Sequence, residues 1–157
     1  MRLTGEFSFE AAPEAVWDAL MDPDVLRATL PGTDRLERID ETHFDASWRV
    51  RLGPIRGTFA GAIELSDLQP PASYHLSAIG RGPVGIVTGE ADFRLRAEGE
   101  GTLLEYDLES RISGRLASIG QRLVESSMRS LVRDALQGLA AEIRRRVGGG
   151  SGGGGGT

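Results

Sequence analysis

The chain has 157 residues, a net charge of −5 and no cysteine. This length is one domain's worth, and a domain of this size buries a core without disulfides or a structural metal. The absence of cysteine excludes thiolate metal sites and a thiol nucleophile. All 18 basic residues are arginine, which excludes a Schiff-base lysine and a Walker-type phosphate loop.

The charge is divided along the chain. Residues 1–110 carry −10 and residues 111–147 carry +5. The acidic body argues against nucleic-acid binding. The basic segment is where an anionic membrane surface would be met. No stretch is apolar enough to span a bilayer, and the N-terminus lacks the apolar run of a secretion signal, so a cytoplasmic address is expected. The final ten residues, GGGSGGGGGT, read as a flexible tail or linker.

Residues 2–10 alternate strictly, with Leu3, Gly5, Phe7 and Phe9 on one face, as in a half-buried strand. Pro13 and Glu14 then open a short helix carrying Val16, Trp17 and Leu20. A second short helix, Asp24 to Thr29, ends before Pro31–Gly32. Six further strands follow: residues 34–40, 42–52, 55–68, Tyr74 to Ile79, one through Val87–Leu95, and one through Leu104–Ile112. Gly53–Pro54, Pro70–Pro71 and Gly99–Gly101 separate them. Short consecutive strands joined by turns predict an antiparallel meander. From Gly114 to Val147 the period becomes helical over roughly 33 residues, on the order of 50 Å. Leu116, Ile119, Leu123, Val124, Met128, Leu131, Ala135 and Leu139 form its apolar stripe. The expected fold is α+β, a seven-stranded antiparallel sheet curled around a long C-terminal helix, with two short helices after the first strand.

No inward catalytic set is visible. His43 and His75 fall on outward positions, as do Glu64, Glu90, Asp92, Glu105, Asp107 and Glu109. A metal site and a Ser–His–Asp or paired-carboxylate site are therefore not expected. Gly57, Gly61 and Gly89 fall on the inward face, where glycine leaves room for a ligand or lets a helix approach closely.

Several segments together resemble one family. They are LTGEFSFEAAPEAVWDALMDPDVLRATLPG at Leu3–Gly32, VRLGPIRGTFAGAIELSDLQPPASYHL at Val50–Leu76 and GRLASIGQRLVESSMRSLVRDAL at Gly114–Leu136. With the glycine-rich RGPVGIVTG at Arg81–Gly89, they resemble the carbon monoxide dehydrogenase CoxG family of the START/polyketide-cyclase (SRPBCC) superfamily over residues 1–147. The resemblance implies a helix-grip fold over 1–147 and a tail over 148–157. It also implies a non-enzymatic carrier of an apolar small molecule, a quinone of the menaquinone or ubiquinone type. As partner it implies aerobic carbon monoxide dehydrogenase or a related molybdenum hydroxylase, reached at the cytoplasmic face of the membrane. A cyclase- or hydrolase-type enzyme and a ligand-free assembly factor are the alternatives on this fold.

With that resemblance, the candidate ligand wall is Trp48, Val50, Phe59, Gly61, Ile63, Leu76, Val87, Phe93 and Tyr106 from the strands, with Leu123 and Met128 from the long helix. Leu26 and Leu30 form the expected rim, and Tyr106 is the expected hydroxyl for a quinone carbonyl. Trp48 is the expected fluorescent reporter, with Trp17 responding less. The candidate membrane-facing residues are Arg115, Arg122, Arg129, Arg133 and Arg144.

Overall fold

The computed structural model describes residues 1–52 and 54–155, and of residues 148–155 only the backbone course. Its elements run β1 (Arg2–Phe9), α1 (Pro13–Leu20), α2 (Pro23–Thr29), β2 (Thr33–Arg38), β3 (His43–Leu52), β4 (Ile55–Gln69), β5 (Ser73–Gly82), β6 (Gly85–Glu98) and β7 (Gly101–Ser113). A short 3-10 helix (Gly114–Ile119) and α3 (Gln121–Gly155) complete the chain. The strands form one seven-stranded sheet in the order β1-β7-β6-β5-β4-β3-β2. Every neighbouring pair is antiparallel. Only β1 and β7 are joined out of sequence order. That pairing places β1 at one edge and leaves β2 at the other.

Both short helices start as their sequences dictate. Pro13 and Pro23 occupy first-turn positions, where a missing N–H costs nothing. The Asp22 carboxylate accepts from the Asp24 backbone N–H at 3.0 Å and caps α2. Leu30 N–H donates to Leu26 O at 2.8 Å and closes the helix. Thr102, almost fully buried, donates its hydroxyl to Ala11 O at 2.7 Å and ties the β1–α1 link to β7.

The C-terminal region differs from the single helix expected from Gly114 onward. A 3-10 turn comes first, and Gly120 at φ +101° breaks the path before α3 begins. Glycine holds that conformation without the Cβ clash another residue would suffer. Beyond residue 147 the helical path continues into the glycine run as far as Gly155. The strands are also longer than their apolar cores suggested. β5 reaches Gly82 and β6 begins at Gly85, so most of RGPVGIVTG is paired strand closed by a tight turn.

The apolar interior falls into two clusters. The larger lies under α1, α2 and the middle of α3, with Phe9, Val16, Trp17, Phe44, Tyr74, Leu104, Leu139 and Ile143 at its centre. The smaller contains Leu52, Ile55, Phe59, Val84 and Leu116, at the end of the sheet where the β3–β4 and β5–β6 hairpins turn. Trp48 packs against both.

Candidate ligand cavity

The concave side of the sheet keeps an unfilled space. A cavity of about 210 Å³ lies between the sheet, α1–α2 and α3. Leu26, Thr29 and Leu30 contribute from the α2 side, and Val132, Ala135, Leu136 and Leu139 from α3. Leu36, Phe44, Ile63, Leu65, Tyr74, Leu76, Phe93, Tyr106 and Leu108 form the sheet wall, and Leu20 closes the α1 end. Ile63, Leu76, Phe93 and Leu108 face the inner side of the sheet yet remain partly accessible. Alternation along a strand sends them inward, and the cavity leaves them unpacked.

The register explains the floor. Tyr74, Phe93 and Tyr106 are successive partners across β5, β6 and β7, and Gly5 of β1 comes next in the same row. Tyr74 stacks on Phe93 with ring centroids 5.0 Å apart. Trp17 meets Tyr74 edge-on at 5.4 Å, one layer behind the cavity. Tyr106 lies across Gly5, where any Cβ would run into its ring. Glycine at this point therefore makes room for the tyrosine.

The wall is apolar apart from three hydroxyls, Thr29, Tyr74 and Tyr106. Thr29 donates to Val25 O at 2.9 Å within its helix. Among the described residues neither tyrosine hydroxyl takes part in a hydrogen bond. Burial pushes the Tyr74 phenol well above its usual pKa, so it stays a protonated donor. No Asp, Glu, His or Arg lines the cavity. The wall therefore supplies two phenol donors and no general base of the carboxylate or imidazole kind.

Thirteen residues were expected to form the ligand wall and rim. Leu26, Leu30, Ile63, Leu76, Phe93 and Tyr106 meet at the cavity. The other seven lie elsewhere. Phe59 belongs to the smaller core, with Val50 and Val87 packed against it. The Trp48 ring rests on Gly80, 3.2 Å from where a Cβ would stand. Leu123 and Met128 fall short of the space, because α3 starts only at Gln121 and its first turns cover the smaller core. The α3 residues that reach the cavity begin at Val132.

Gly61 and Gly57 need a different explanation from ligand room. A Cβ on Gly61 would strike the Ile79 carbonyl, so this glycine permits the β4–β5 backbones to meet. A Cβ on Gly57 would stand 3.1 Å from Val84 Cγ2, so that space is already filled. Only around Gly89 is there ordinary van der Waals distance, with nothing closer than 3.8 Å.

The outer side of the sheet carries a wider depression of about 540 Å³, bordered by Ile39, Asp40, His43, Asp45, Glu64 and Ile79. It is shallow and charged, so its larger volume is groove rather than enclosed site. His43 and His75 both sit on this face. His43 contacts Asp40 at 2.8 Å and Glu64 at 3.7 Å, and His75 contacts Asp92 at 2.8 Å and Glu90 at 3.4 Å. These carboxylates hold both imidazoles above their ordinary pKa. Asp40 in turn is lowered to about 2, chiefly by the Thr42 backbone N–H and then by His43. Among the described residues no three His, Asp or Glu groups converge in a metal-binding arrangement.

The family model for carbon monoxide dehydrogenase CoxG matches residues 5–144. The chain belongs to that family. No curated protein matches the CoxG chain. A conserved protein from Geobacillus kaustophilus is similar in structure, with a TM-score of 0.87 and 29% identity over 92% of this chain and 96% of that one. The Zhui aromatase/cyclase from a Streptomyces species has a TM-score of 0.67 at 16% identity, over 94% and 95% of the two chains. A START superfamily protein from Mycobacterium smegmatis has a TM-score of 0.67 at 12% identity, over 92% and 97%. The latter two share the fold. The helix-grip architecture of this CoxG chain is thus that of the START superfamily, a hydrophobic-ligand-binding fold.

Proposed function

We propose that the chain is a non-enzymatic carrier of an apolar small molecule, a menaquinone- or ubiquinone-type quinone, serving an aerobic carbon monoxide dehydrogenase or related molybdenum hydroxylase at the cytoplasmic side of the membrane. The observation that carries this reading is a greasy cavity whose polar groups are two unengaged phenols and a helix-bound threonine. A quinone needs apolar walls for its ring and hydrogen-bond donors for its carbonyls. Tyr74 and Tyr106 lie one strand apart on either side of Phe93, roughly 10 Å between backbones at the usual strand spacing.

The volume of about 210 Å³ sits below the roughly 300–1,000 Å³ of most small-molecule sites. It suits a ring. A prenyl tail requires further room, which separation of α2 from α3 supplies. The family membership supports the dehydrogenase partner. Among the described residues no helix is long and apolar enough to cross a membrane, so the proposed membrane contact is peripheral.

The cyclase-like fold of the Streptomyces enzyme offers an enzymatic alternative. The lack of any carboxylate, imidazole or guanidinium at the wall favours binding over catalysis. Mass spectrometry of the purified protein, native and then after organic extraction, tests the proposal. A stoichiometric adduct that extracts as a prenylated quinone is expected. A bare protein mass that added quinone leaves unchanged would favour the assembly-factor reading.

A further inference from the structure

Three stretches distant in sequence meet at one end of the molecule. Leu52 pairs with Ile55 at the β3–β4 turn and Gly82 with Gly85 at the β5–β6 turn, while Ile86 pairs with Ser113 at the end of β7. Leu116 N–H donates to Val84 O at 2.8 Å, seating the 3-10 helix against the second turn. The smaller core lies beneath all of them. Residues 51–58, 80–88 and 111–124, which build this end, contain six arginines and not one Asp or Glu.

Those arginines are Arg51, Arg56, Arg81, Arg111, Arg115 and Arg122, and all are exposed. Among the described residues none of the six makes an ion pair. Arg51 and Arg56 stand directly opposite each other in the β3–β4 ladder. Like charges so placed oppose folding, so packing does not account for them. Ile86 adds an apolar side chain that is 39% exposed. The adjoining outer face of the sheet is acidic, with Glu64, Glu90, Asp92, Asp107 and Glu109. Two of the arginines expected to face a membrane are engaged instead, Arg133 with Asp134 and Arg144 with Glu10.

We propose that this arginine-ringed end is a docking surface for an anionic lipid bilayer. The charges surround a blunt end five strands wide, about 20 Å, a shape that meets a plane. An anionic plane attracts this end and repels the acidic sheet face, so docking has one orientation. The proposal deepens the carrier reading by naming the surface that approaches the membrane, and it is tested without the ligand.

The experiment is co-sedimentation of the full chain with vesicles of neutral phosphatidylcholine, or of phosphatidylcholine mixed with phosphatidylglycerol, at low and high salt. A variant with Arg51→Gln, Arg56→Gln, Arg81→Gln and Arg115→Gln is compared with an Arg144→Gln/Arg145→Gln control. Circular dichroism melting verifies folding. Wild type and control should bind anionic vesicles alike, ignore neutral ones and release at high salt. At roughly fivefold per arginine, the fourfold variant should lose at least about a hundredfold in affinity. Equal binding to neutral vesicles, undiminished binding by the variant, or an equal loss in the control overturns the proposal. So does binding to polyglutamate without binding to vesicles, which assigns the end to an acidic protein face. Quinone binding by the same samples is read separately, so failure of docking and failure of the carrier reading are distinguishable.

Discussion

At the scale of single residues, two glycines that look alike in sequence carry opposite predictions. Gly61→Ala forces its Cβ onto the Ile79 carbonyl and should cost about 2–4 kcal/mol, read as a fall in denaturant midpoint. Gly89→Ala meets nothing closer than 3.8 Å and should change stability by less than about 1 kcal/mol. Equal costs would mean that backbone approach is not what Gly61 provides. The histidines give a pH prediction. His75, held by Asp92 and Glu90, has a raised pKa in the folded state, as does His43 beside Asp40. Their stabilisation is full below the unfolded value of about 6.5 and fades as pH rises through the higher folded value. Melting temperature should therefore drop on passing from pH ~6 to ~8.5, and a His43→Gln/His75→Gln variant should flatten that part of the profile. An unchanged profile would show that the carboxylate contacts do not persist in solution.

Among the elements, α3 and its junctions are where the sequence told least. Apolar periodicity ran unbroken from Gly114, so the stop at Gly120 was hidden by good helical spacing on both sides. That stop decides which α3 residues meet the cavity, and it moved the reach from Leu123 and Met128 to Val132 and beyond. Gly120→Ala, at φ +101°, should destabilise the chain by roughly 1 kcal/mol, and a neutral outcome would mean the junction is not tied to that conformation. At the other junction, a Cβ on Gly138 would stand 3.2 Å from Thr29 O, where α3 passes α2. The glycine-rich end of α3 offers no side chains to bury apolar area. Deleting residues 148–157 should leave the melting temperature within about a degree, and a ten-degree fall would contradict that.

For the whole molecule, strand order and sheet class were legible because alternation is unambiguous over β3, β4, β6 and β7. The division of the inward face into a filled half and an open half was not legible. Alternation places Trp48, Phe59 and Tyr74 all on the same side, and only the register and the helix positions separate them. The row Tyr74–Phe93–Tyr106 likewise exists only once three strands are aligned, past the irregularity between Ser66 and Gln69. The arginine end was equally invisible, since its six residues come from three separate segments.

The central claim is that the space between α2, the sheet and α3 holds an apolar ring. A titration of a soluble menaquinone or ubiquinone analogue, followed by tryptophan fluorescence, tests it most directly. Trp17 lies behind Tyr74 at the wall, whereas Trp48 packs against Gly80 and Phe59, so Trp17 should dominate the quenching. Wild type should quench saturably at micromolar analogue, and Trp48→Phe should keep most of that signal. Ala135→Phe, which fills the cavity from α3, should melt normally and bind at least about tenfold more weakly. Undiminished binding by a folded Ala135→Phe variant, or no quenching in wild type, would contradict the account.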